Sequence, residues 1–272
     1  EDIAEVRTAA LRSVRNIARQ QTQLVKNTHI LLFTLSNLAE VRGKKLEGCS
    51  ALFRNLALHA PAYADLRLCD TDGNTLAASS PDFQELPEPA RAEIRAAAAG
   101  NAFAVREMTH SANNHAPLIT CLLPVIQNGQ ATGVLVASIL VRPPAAEVAK
   151  LDAQQAEHLH IVDTQGHVIF AYPPDASRRT SDHTIYCPWR EVGQSPLRHG
   201  LIQNVGEQHI AFEKLFLDEE QEPYLTVSLS ISTAAVFERM RARIFTNALL
   251  LLGATCFAFA VTWKLCDAGL RA

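Results

Sequence analysis

Residues 66–76, LRLCDTDGNTL, and residues 159–169, LHIVDTQGHVI, are two versions of one eleven-residue pattern. Leu, Asp, Thr and Gly occupy the same four positions in each, and the remaining apolar positions match. Both read as strand, tight turn, strand: the Asp side chain bonds the turn's backbone, and the Gly supplies its positive φ. One such hairpin is commonplace. Two of them 93 residues apart, in similar surroundings, predict two copies of one module.

The sequence around each copy extends the parallel. After the first hairpin, a helix-forming run at 88–99 precedes a strand at 103–108, then a long hairpin, 119–124 and 133–140, turning at QNGQ. After the second, a Pro-rich polar stretch at 173–199 precedes another long hairpin, 209–217 and 224–231. Both modules are therefore expected to be antiparallel sheets with helices on one side, giving an α+β chain. Residues 60–142 form the first module, 143–157 a connector and 158–232 the second.

Residues 1–59 read as a helical stalk: the first 42 contain neither Gly nor Pro. Val14, Ile17, Gln21, Leu24, Thr28, Leu31, Leu35 and Leu38 alternate steps of three and four, a heptad seam. Such a seam packs against either the domain's own sheet or the same helix of a second subunit. Gly43 and Gly48 break the pattern, and 49–59 resumes it as a short helix closed by Pro61.

At the other end, 233–243 has helical character and runs without Gly or Pro into 244–263, twenty residues without a charge. That length matches a bilayer's hydrocarbon core, and Trp263 with Lys264 resembles an interfacial anchor, so a transmembrane helix is expected. Arg239, Arg241 and Arg243 before it and Lys264 and Arg271 after it leave the orientation undecided by charge.

With 25 basic and 28 acidic side chains, the net charge of −3 offers no basic field for a nucleic-acid partner. The 48% hydrophobic content over 272 residues suffices for a packed core. Six cysteines show no zinc-ligand spacing, and Cys49 and Cys69 read as buried thiols or, in an oxidising compartment, as a disulfide pair. No phosphate loop, dinucleotide fingerprint, zinc-protease helix or nucleophile elbow is present, and GQSPL at 193–197 only superficially resembles the last. No catalytic residue, metal site or cofactor is expected. His158 and His160 share a strand face without an identifiable third ligand, and capping explains Asp70 and Asp163.

A long first helix, two successive strand-DxxG-strand modules with long terminal hairpins, and a closing helix entering a membrane span together resemble the double Cache family of extracellular sensors. Its most specific segments here are YADLRLCDTDG at 63–73, LLPVIQNGQATGVL at 122–135 and HLHIVDTQG at 158–166. The resemblance implies two PAS-like modules on a long helix, the first membrane-distal and the second membrane-proximal. It further implies a homodimer through that helix, a first membrane span upstream of Glu1 and a sensor in the bacterial periplasm, anchored in the inner membrane. Residues 264–272 would then begin a cytoplasmic linker to an output domain, foremost a histidine kinase, alternatively a diguanylate cyclase or chemoreceptor.

The family's pocket lies in the distal module. Its amino-acid-binding members carry an Arg-x-Trp-Tyr element on the pocket helix and an Asp on the last strand. Aligned here, Arg91 matches the first element, while the aromatics and the Asp are missing. The resemblance thus implies a small-molecule ligand, with a small carboxylate or other anion ahead of a dipolar amino acid. Arg91 and Arg106 are the anion-pairing candidates, with Ser138, Thr120, His110 and Tyr63 as neighbours. The competing expectation is a membrane-tethered adaptor whose ectodomain binds a periplasmic protein.

Overall fold

The computed structural model describes residues 2–80, 86–108, 118–143, 145–154, 158–163, 168–172, 192–193, 195–205, 208–217, 223–232, 241 and 245–255. Helix α1 (Asp2–Ser36) runs 35 residues, about 50 Å at 1.5 Å per residue. Its seam positions Val14, Ile17, Gln21, Thr28 and Leu35 are buried together with Ala18, Val25 and Leu32. The same core holds apolar residues of both sheets, so the seam is consumed within one chain. Side chains finish the helix: Ser36 Oγ and Asn37 Nδ2 each donate to the Phe33 carbonyl at 2.8 Å. A single turn, α2 (Ala39–Arg42), and then α3 (Leu46–His59) follow, the latter starting three residues earlier than expected.

The first sheet contains β1 (Tyr63–Cys69), β2 (Thr75–Ala78), β3 (Ala104–Met108), β4 (Leu118–Gln127) and β5 (Gln130–Leu140), in the order β2-β1-β5-β4-β3. The second contains β6 (His158–Val162), β7 (Val168–Tyr172), β8 (His199–Val205), β9 (Gln208–Leu215) and β10 (Leu225–Ser232), in the order β7-β6-β10-β9-β8. Replacing β1 to β5 by β6 to β10 converts one order into the other, so the eleven-residue repeat marks a duplicated topology. Asn128 and Gly129 take φ of 50° and 77°, the two positive values of a tight hairpin turn, and join β4 to β5. Between the sheets, α5 (Ala145–Gln154) occupies the expected connector.

One expectation needs correction, and one alternative is decided. Helices cover both faces of the first sheet, since α1 and α3 pack on one while α4 (Glu88–Gly100) packs on the other. The central strands β4 and β5 are buried over most of their length, so residues of both faces need a covering layer. Cys49 and Cys69 are free buried thiols in separate core clusters on opposite sides of that sheet, which excludes their pairing. Among the described residues no helix is long and apolar enough to cross a membrane. The charge-free run 244–263 is described only over 245–255, which is helical. Most of the closing segment 233–243 lies outside the described residues.

Candidate ligand-binding face of the first sheet

The α4-facing side of the first sheet is built by strand alternation. In β1, Leu66 and Leu68 point into the core shared with α1, so Asp65, Arg67 and Cys69 point the other way. Directly paired residues share a face. Asp65 pairs with Ser138 of β5, Ser138 with Thr120 of β4, and Thr120 with Arg106 of β3. One polar row, Asp65–Ser138–Thr120–Arg106, therefore crosses four strands. The next row, Arg67–Val136–Leu122–Ala104, begins the apolar patch on which Ile94, Ala97 and Ala98 of α4 sit.

The row is charged at its ends and hydroxylic in the middle. Asp65 is held from two sides: Arg67 Nε pairs with Oδ2, and Ser79 Oγ donates to Oδ1 at 2.7 Å. Ser79 Oγ in turn accepts from the Leu66 amide at 3.1 Å. At the other end, Arg106 Nε donates to Glu93 Oε2 on α4 at 2.8 Å, and Nη1 to the Val105 carbonyl at 3.0 Å. Between them Thr120 is 1% exposed, and its hydroxyl has no hydrogen-bond partner among the described residues. A buried hydroxyl left unpaired costs about 1–3 kcal/mol, which makes this position the anomaly of the face.

Three residues expected at a site, Arg106, Thr120 and Ser138, are thus neighbours. Arg91 is elsewhere: its Nη2 donates to Asn74 Oδ1, on the turn between β1 and β2. Tyr63 faces the opposite side, where its hydroxyl accepts from Thr28 of α1 at 3.3 Å. A β-bulge between Tyr63 and Asp65 reverses the alternation there, so the two face opposite ways. His110 lies outside the described residues. Asp65, Arg67 and Ser79 were not anticipated. Two charged residues alternating with leucines in a core strand were the available sign.

Register relates the second sheet to this row. The repeat aligns His158 with Asp65 and His160 with Arg67, and Ser230, opposite His158, matches Ser138. The imidazole centroids are 5.8 Å apart. Ser228 and Ser230 hydroxyls donate to the carbonyls of His160 and His158 at 3.2 and 3.3 Å, tying β10 to β6. Among the described residues no group of three or more His, Cys, Asp or Glu side chains is placed to hold a metal.

No family model and no curated protein sequence matches the chain. Solved structures do. The extracellular domain of a proposed histidine kinase, rpHK1S-Z16, aligns at 16% identity over 86% of this chain and 98% of its own, with a TM-score of 0.65. A domain of a proposed sensory box/GGDEF protein from Vibrio parahaemolyticus aligns at 15% identity over 87% and 99%, with a TM-score of 0.62. The ligand-binding domain of the Pseudomonas fluorescens chemoreceptor CtaA, solved with L-serine, aligns at 13% identity over 85% and 99%, with a TM-score of 0.54. The chain has the fold of Cache-type extracellular sensor domains.

Proposed function

We propose that this chain is the periplasmic ligand-sensing region of a bacterial transmembrane receptor, foremost a histidine kinase, and that it performs no catalysis itself. The ligand is a small molecule, with small carboxylates and other anions favoured, held on the α4-facing row of the distal module. The observation that carries this reading is the buried Thr120 hydroxyl between Arg106 and Ser138, which has no partner among the described residues. A hydroxyl pair beside a guanidinium suits an acceptor-rich ligand. Proteins of the same fold solved with bound ligands, such as the serine-bound chemoreceptor domain, support a sensor role.

The residues from 244 to 263 cross the inner membrane in this reading. Phe245 and the four consecutive residues Leu249, Leu250, Leu251 and Leu252 are 65–71% exposed. Successive helix positions turn by about 100°, so four in a row present leucine on every side, which suits lipid and not water. A second copy would meet this one along the outer face of α1, where Ile30 and Phe33 remain exposed.

The test is a thermal-shift screen of the full chain in detergent micelles against small carboxylates, amino acids, amines and inorganic anions. Ligand at 100 times its Kd stabilises the native state by about 2.7 kcal/mol. A dose-dependent rise that Arg106→Ala weakens more than about tenfold supports the site. Arg91→Ala, which severs a tie to the β1–β2 turn, is expected to lower the melting temperature without that loss of affinity. No rise with any compound would favour the protein-binding adaptor.

A further inference from the structure

Helix α4 is tied to both margins of the sheet it covers. At the β2 edge, Arg91 bonds Asn74, and Arg95 Nη1 donates to the Asp72 carbonyl at 3.3 Å. At the β3 edge, Glu93 Oε2 accepts from Arg106 at 2.8 Å. The two anchorages differ in strength. The first includes a close approach of backbones, because a side-chain carbon on Gly73 would stand 2.9 Å from Arg91 Cα. The second is a single ion pair whose side chains are 48% and 45% exposed, so solvent screens it and it holds weakly.

Building on the ligand-binding reading above, we propose that Glu93 is the resident occupant of the anion position. A small carboxylate displaces it from Arg106, which makes Glu93 the residue that sets affinity for this ligand class. The neighbours fix the geometry. One ligand oxygen replaces Glu93 on the Arg106 guanidinium, and the other accepts from the Thr120 hydroxyl beside it. The exchange is carboxylate for carboxylate, so the net charge over Arg106 is conserved, and the buried hydroxyl gains the bond it lacks. Releasing Glu93 frees α4 at the β3 edge only, while Arg91 and Arg95 keep it on the β1–β2 turn. Occupancy thus becomes a pivot of α4 about that turn. The neutral balance of the face, with Asp65 already paired to Arg67, leaves Arg106 as the cation available by exchange.

The experiment measures dissociation constants of acetate, propionate and succinate for the full-length protein in micelles. Wild type, Glu93→Gln, Glu88→Gln and Glu93→Gln with Arg106→Ala are compared. Glu93→Gln is expected to tighten binding of at least one probe by about two- to fivefold, the scale of a half-exposed ion pair. Glu88→Gln removes the same charge from the same helix, where it is paired to Arg95, and is expected to leave affinity unchanged. The gain must vanish when Arg106 is also removed. Unaltered or weaker binding by Glu93→Gln, with wild type binding normally, overturns the proposal and leaves the ligand-binding reading standing. Equal gains from Glu88→Gln also overturn it, by showing a general charge effect. Absence of binding to any probe by wild type and Glu93→Gln alike removes the carboxylate-binding reading and this inference with it.

Discussion

Gly73 meets two demands that no other residue satisfies together. Its φ of +90° lies where L-residues are strained, and a side-chain carbon there would come within 2.9 Å of both Cα and Cβ of Arg91. Strain of this kind costs about 1–2 kcal/mol, and a backbone obstacle cannot be turned aside by changing rotamer. Gly73→Ala is therefore expected to lose at least about 2 kcal/mol, read as a lower urea midpoint at unchanged slope. A loss under about 0.5 kcal/mol would show that α4 is not seated on the turn. Asp70 completes that turn. Burial raises its pKa, but bonds from the Asn74 side chain and from the Asn74, Asp72 and Gly73 amides outweigh it and hold the carboxyl below its usual range. A depressed carboxyl stabilises the fold above its unfolded pKa, and that contribution is lost as pH falls through the folded value. The stability advantage of wild type over Asp70→Asn is thus expected to be full near neutrality and to shrink below about pH 4. A difference between the two that stays constant from pH 7 to pH 2 would refute this account.

At the scale of elements, legibility depended on whether the informative interaction was local. The α1 seam, the helix at 88–99 and the β4–β5 turn all follow from periodicity or from Asn-Gly chemistry, which lie in consecutive residues. The bulge in β1 does not: it is visible only in pairing with β5, where Tyr63 meets Ile139 and Asp65 meets Ser138, and it sends Tyr63 and Asp65 to opposite faces. The candidate face was accordingly legible only in part. Arg106, Thr120 and Ser138 sit on regular strands, while Arg91 went to a turn whose partner Asn74 is set by tertiary packing. Long-range ties also decide how α1 grips β9. Arg7 Nη2 lies 3.4 Å from His209 Nε2, and Arg15 pairs with Glu213 at 3.5 Å. Burial, with the Arg7 charge second, lowers the pKa of His209. The folded state resists a proton that the unfolded chain accepts near pH 6.5, so stability falls as pH drops from there toward the folded value. His209→Gln keeps an acceptor for Arg7 and removes the titration. Its stability is expected to vary less than wild type's between pH 7 and pH 5. Matching pH profiles for the two proteins would exclude His209 as the titrating contact.

For the whole molecule, the question is whether two similar modules behave as two bodies or one. A single apolar cluster contains Val14, Ile17 and Leu32 of α1, Ile119 and Leu135 of the first sheet, and Leu215, Val227 and Leu229 of the second sheet. Helix α1 also hooks the chain between the modules, with Gln21 Nε2 donating to the Arg142 carbonyl at 3.2 Å. His29 of α1 stacks on Phe103, three residues before Arg106, with ring centroids 4.2 Å apart. A helix that is core to both sheets cannot lose its packing on one without loosening its seat on the other, so unfolding should be cooperative across the modules. Leu229→Ala, in the second sheet, is expected to cost about 2–5 kcal/mol. Hydrogen exchange in urea then decides the matter. One body requires the amides of β4 and β5 in the first sheet to lose protection at the same lowered urea concentration as those of β9 and β10. If β4 and β5 keep wild-type protection while β9 and β10 open, α1 is a tether between independent modules. A shift of α4 on the first sheet would then have no packed route to the second sheet.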